Sequence, residues 1–180
     1  DYFYSSATST DMAMNDFMWG EHWYRLEETE RFAQWKRQEV GQSLFDWLTE
    51  EGYYTQFIGY PSGLQLKDMD IFFTKTDYPR SFVYEEYQKR IEESVQKDLF
   101  GIYVWDCTSH LNLQDERKDK FASGYDKRIQ GYRSLDQTFG TVIDMLEKYD
   151  RLKDTIIIAF GDHGDDYWTH ELNSGFAHAN

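Results

Sequence analysis

Apolar positions along this chain follow two patterns that take turns: steps of three and four residues, and short unbroken runs. Asp11 to Trp19, preceded by the hydroxyls of Ser9 and Thr10 and followed by Gly20, is predicted to be a short capped helix. Glu28 to Glu51 reads as helix, with Phe32, Trp35, Leu44, Phe45 and Leu48 on its apolar face and Gly52 at its end. Tyr53 to Ile58 then reads as a strand. Gly59 to Pro79 holds both prolines and is expected to be loop or irregular. Tyr84 to Lys97 is predicted helical, and Leu99 to Trp105 is predicted to be a buried strand. The clearest helix runs from Tyr125 to Tyr149, where Tyr125, Ile129, Tyr132, Leu135, Phe139, Val142 and Leu146 mark one face. Asp154 to Phe160 follows, a continuous β-branched run that fits a central parallel strand covered on both faces.

Strand, helix and strand in alternation predict an α/β fold, a mostly parallel sheet between helices. No repeat and no linker divides it, so residues 1–180 are read as one domain. The length, 180 residues, leaves room for one domain or part of a larger one. Lys plus Arg number 19 against 33 Asp plus Glu, a net charge of -14. With no basic run, a sequence-independent grip on nucleic acid is not expected. No stretch is long and apolar enough to span a bilayer. A single cysteine, Cys107, excludes an internal disulfide framework and a multi-cysteine zinc site.

In parallel sheets, ligands bind beyond the carboxyl ends of strands. After the last predicted strand come Gly161-Asp162-His163-Gly164-Asp165-Asp166, then His170 and His178. After the strand ending at Trp105 come Asp106-Cys107-Thr108-Ser109-His110. Carboxylate and imidazole side by side at a strand end, with glycines permitting a sharp turn, suit a divalent cation with mixed O/N ligands. An isolated Asp-His pair is more often an ordinary loop; the clustering of Asp162, His163, His170 and His178 favours a metal site. His110 alone fits a hydrogen-bonded loop histidine as well as a ligand contact. Near the N-terminus, Ser5, Ser6, Thr8, Ser9 and Thr10 crowd a predicted helix start, where hydroxyls usually cap. Beside a metal, one of them becomes a candidate nucleophile.

The run Thr155 to Gly164 resembles the strand followed by (S/G)DHG of the alkaline phosphatase superfamily, in its sulfatase-like branch. Ser43 to Gly59, Leu99 to His110 and Tyr125 to Leu146 resemble further units of that branch, so the likeness covers nearly the whole chain. The resemblance implies Asp162 and His163 as metal ligands, and His178 as a further metal-binding histidine of the kind used by phosphoethanolamine and phosphoglycerol transferases. It implies His110, and with a less defined role His170, as substrate contacts. Thr10 falls on the nucleophile position, itself metal-bound, with Ser9 as nearest competitor. Mn or Zn is the implied cofactor, with Ca and Mg as further options. The implied substrate is a small-molecule, glycan or lipid-headgroup ester of phosphate or sulfate.

Two departures shape the expectation. Classical sulfatases have a Cys or Ser before Pro and Arg, the signal for conversion to formylglycine; here Thr10 precedes Asp11-Met12-Ala13-Met14, and threonine cannot be so converted. Phosphate is therefore favoured over sulfate. The branch's first strand, which ends in an acidic metal ligand, should precede the nucleophile, and Asp1 to Tyr4 does not contain it. The chain is expected to be an internal portion of a larger catalytic domain, binding metal weakly and inactive by itself. The alternative from a different class is a catalytically inactive, sulfatase-like binding module.

Overall fold

Three parallel strands order the fold: β1 (Tyr54–Gly59), β2 (Lys75–Asp77) and β3 (Phe100–Trp105), in the order β2-β1-β3. The structure is a computed structural model and describes residues 10–20, 42–59, 73–77, 84–106, 108 and 124–162. Among these residues the helices are α1 (Thr10–Trp19), α2 (Leu44–Glu50), α3 (Tyr84–Val95) and α4 (Gly124–Lys148), and a 3-10 turn covers Leu152–Asp154. The chain forms two compact units, one of Asp1–Leu44 with Ile157–Asn180, the other Phe45–Ile156.

In the second unit β1 is the central strand and is buried from Thr55 to Gly59. Alternate residues of a strand point to opposite faces, and both faces of β1 are covered. On one side Ile58 packs with Tyr87, Ile91 and Val95 of α3 and Met145 and Leu146 of α4. On the other, Phe57 stacks on Tyr103, its partner in the β1–β3 register, at 5.6 Å, and Phe73 and Phe45 complete an aromatic cluster. Each such side chain taken out of water contributes about 1.5–3 kcal/mol. Two polar residues of β1 are buried but satisfied. Thr55 Oγ1 accepts from the Thr74 backbone N–H at 2.9 Å, and Gln56 Oε1 accepts from Ser94 on α3.

Glycines set two critical approaches. A Cβ on Gly59 would stand 2.6 Å from the Phe57 ring, so a side chain at the end of β1 would force that ring to shift. Gly52, at φ +85°, ends α2 where the sequence places the stop: Tyr53 N–H reaches back to Leu48 O at 2.9 Å.

Several expectations are met. β1, β3, α3 and α4 agree with the sequence reading to within one or two residues at most ends, and the sheet is parallel. Others need correction. β2 lies within Gly59 to Pro79, which the sequence assigned to loop; Lys75-Thr76-Asp77 is a polar three-residue edge strand with no apolar pattern to reveal it. β3 is only half-buried, with Tyr103 its one fully buried residue. On α4, Tyr132 and Phe139 are 46% and 44% exposed, whereas Gly131, Ser134, Thr138, Thr141 and Met145 are buried. The buried stripe of α4 therefore runs through small and hydroxyl side chains, one step aside from the apolar one. Finally, residues 155–160 join no ladder among the described residues, and Ile156 and Ile158 are 89% and 69% exposed. Among the described residues the expected central strand does not form there: β-branched residues favour extended backbone, but only a hydrogen-bonding neighbour makes a strand.

Candidate active site

In the first unit, α1 begins at Thr10, the candidate nucleophile. Ala13, Met14 and Met18 are buried, an i, i+1, i+5 arrangement that fixes one face of the helix against its unit. Gly20, at φ +68°, closes the helix with its N–H on Asp16 O at 2.8 Å, so the predicted stop is correct. The first turn of such a helix offers unpaired backbone N–H groups and the positive end of the helix dipole.

The extended segment that leads to Asp162 lies in the same unit. Phe160 on it meets Phe17 of α1, with ring centroids 4.8 Å apart and planes at 35°. Asp162 follows by two residues, partly buried and at a bend of the chain. This ring contact ties the helix that begins with Thr10 to the segment that carries Asp162. His110, His163, His170 and His178 lie outside the described residues. Among the described residues, no three His, Cys, Asp or Glu side chains converge as a metal site would require.

In the second unit the carboxyl end of β3 has a different use from the one its composition suggested. Asp106 Oδ1 accepts the Thr108 backbone N–H at 2.8 Å, and Asp106 Oδ2 accepts the Thr138 hydroxyl of α4 at 2.5 Å. Thr108 is itself fully buried, and its hydroxyl donates to Gly131 O at 3.4 Å. Sequence reasoning singled out Asp106 only as a carboxylate near His110, and overlooked Thr138. The available signal was local: an Asp at a strand end, two residues before a Thr, is the pattern of an Asx-turn.

No curated protein matches the chain significantly. A crystal structure of a protein in the alkaline phosphatase superfamily from Vibrio parahaemolyticus is similar with a TM-score of 0.65 at 20% identity. The match covers 97% of this chain and 48% of that one, so this chain spans about half the neighbour's length. At that identity the likeness speaks for the α/β fold alone. The profile of the family described as Sulfatase matches residues 1–178, and the chain belongs to that family.

Proposed function

We propose that this chain is a portion of the single catalytic domain of a metal-dependent hydrolase or transferase of phosphate esters. Membership of the Sulfatase family supports action on a sulfate or phosphate ester. Thr10 directs the choice toward phosphate, because a threonine cannot become formylglycine. The observation that carries the reading is the Phe17–Phe160 contact, since it couples the helix starting at Thr10 to the segment ending at Asp162.

Asp162, His163 and His178 supply one carboxylate and two imidazoles, a donor set whose chemistry fits Mn or Zn. A divalent ion held there lowers the pKa of a bound hydroxyl and offsets charge on ester oxygens. Thr10 Oγ1 attacks phosphorus; the new O–P bond forms as the bond to the leaving alcohol breaks, and the alcohol departs with a proton. The first-turn N–H groups of α1 face the anionic oxygens. His110 and His170 contact the substrate anion. Water or an acceptor hydroxyl then cleaves the phosphothreonine, and the choice between them separates hydrolase from transferase. The substrate class is a small-molecule, glycan or lipid-headgroup phosphate.

Metal analysis of the intact protein, of which this chain is a portion, tests the donor set directly. Asp162→Ala should lower bound Mn or Zn severalfold and abolish p-nitrophenyl phosphate turnover. Unchanged metal content and turnover would refute the assignment.

A further inference from the structure

The two strands that flank β1 are held to it by different means. Among the described residues β2 is an outer strand, matched to β1 over three residue pairs, whereas β3 is matched over six. Tyr103 of β3 also stacks on Phe57. The sequence of β2, Lys75-Thr76-Asp77, brings no large apolar side chain to the core. An anchor at its start and an ion pair take the place of packing. Phe73, just before the strand, is buried, with its ring 4.3 Å from that of Phe45 and 5.5 Å from that of Phe57. Thr74 N–H donates to Thr55 Oγ1 at 2.9 Å, and the two threonine hydroxyls lie 3.1 Å apart. Lys75 then reaches α3, where its ammonium donates to Glu93 Oε2.

That ion pair is set in a small polar cluster. Tyr54 OH of β1 donates to Glu93 Oε1 at 3.2 Å, and Lys97 lies over the Tyr54 ring at 5.0 Å. The Lys75 and Glu93 side chains are 34% and 42% exposed, so salt screens their attraction. The anchor lies on the amino side of β2. At the other end Asp77 stands opposite Ile58, near the carboxyl end of β1. A strand fixed at one end by a buried ring, and along its length by a short ladder and a screened ion pair, opens at lower free energy than the core. Lifting it breaks the β1–β2 ladder and leaves Phe57 on Tyr103 and Ile58 on α3 and α4. The end that lifts is on the side where ligands of parallel sheets bind.

We propose that β2 is a latched strap: hinged at Phe73–Thr74, closed by the Lys75–Glu93 ion pair, and able to lift its carboxyl end from β1 while β1 and β3 stay paired. When it lifts, the backbone edge of β1 at Phe57 and Ile58 is bared.

Native-state hydrogen exchange on the intact protein in low denaturant tests this. The amides of Lys75, Thr76 and Asp77 should exchange faster than those of β3 and with a smaller denaturant slope, the mark of a local opening. Glu93→Gln and Lys75→Gln should each quicken exchange in β2 about twofold, the size of a screened surface pair. Salt at about 0.5 M should do the same in the unaltered protein and add nothing in either variant. Glu92, the neighbour of Glu93, binds Lys148 and Tyr149 at the end of α4 instead. Glu92→Gln removes an equal charge from the same helix and should leave exchange in β2 as it is. Equal denaturant slopes in β2 and β3, or equal quickening of β2 by Glu92→Gln and Glu93→Gln, show that β2 opens only with the whole sheet and overturn the strap. Exchange in β2 unchanged by both Glu93→Gln and Lys75→Gln overturns the latch and the inference with it.

Discussion

Arg151 joins the ends of two helices, and removing it should cost more than its position near the surface suggests. α4 closes with Asp150 in the left-handed region, φ +53°, and the Arg151 N–H returns to Leu146 O at 2.8 Å. That turn aims the guanidinium at the last carbonyl of α3 and at two that follow it. Nη1 donates to Val95 O at 3.2 Å and Lys97 O at 2.7 Å, Nη2 donates to Asp98 O at 2.8 Å, and the group lies 4.9 Å from the Phe100 ring centroid. In Arg151→Ala, water replaces the two exposed bonds, for about 0.5 kcal/mol each. The partly buried bond to Val95 O contributes about 1 kcal/mol, and the ring contact about 0.5 kcal/mol more. The total loss is about 2–3 kcal/mol, read as a fall in the denaturation midpoint at constant m-value. Hydrogen exchange should quicken at the C-terminal end of α3. Arg151→Lys should recover little, because an ammonium cannot present the same planar fork to three carbonyls. A loss under about 0.5 kcal/mol for the alanine variant, or full recovery with lysine, contradicts this account of the junction.

Two further outcomes follow from the packing. Gly59→Ala forces a Cβ against the Phe57 ring and 3.1 Å from Trp105 Cβ; it should cost about 1–3 kcal/mol in chemical denaturation, and an unchanged midpoint would show the strand end to be roomier than described. Lys75 of β2, hydrogen-bonded to Glu93 of α3, holds the Glu93 carboxyl below its ordinary value, and Tyr54 OH adds to the effect. A lowered folded-state pKa stabilises the fold above the ordinary carboxylate range and is lost as pH falls through the folded value. Glu93→Gln should therefore cost about 0.5 kcal/mol at about pH 7, since the pair is partly exposed and screened, and progressively less as pH falls through the lowered folded value. A difference that persists in acid would exclude the ion pair as its cause.

Much of the sheet was legible because β1 and β3 are short runs rich in β-branched and aromatic residues, although only β1 is buried along its length. β2 was not, since an edge strand of Lys, Thr and Asp needs only backbone partners. The run from Thr155 to Phe160 misled in the opposite direction: it has the composition of a buried strand, yet pairing depends on neighbours that composition does not name. The α4 face was displaced because close approach to the β3 end favours Gly131, Ser134 and Thr138 over bulky residues. At the site, strand-end logic drew attention to Asp106, but its carboxylate serves Thr108 and Thr138. Local sequence marked Thr10 as a helix start and Gly20 as its stop. The contact of Phe17 with Phe160 joins residues far apart in the chain, and no local pattern contains it.

The central claim is that Thr10 is the nucleophile of a phosphate-ester enzyme. Rapid acid quench during p-nitrophenyl phosphate turnover, followed by peptide mass spectrometry, tests it most directly. The account predicts one phosphate on the peptide containing Thr10, located on that threonine and absent from Thr10→Ala. A phosphate on Ser9, or sustained turnover by Thr10→Ala, would contradict it.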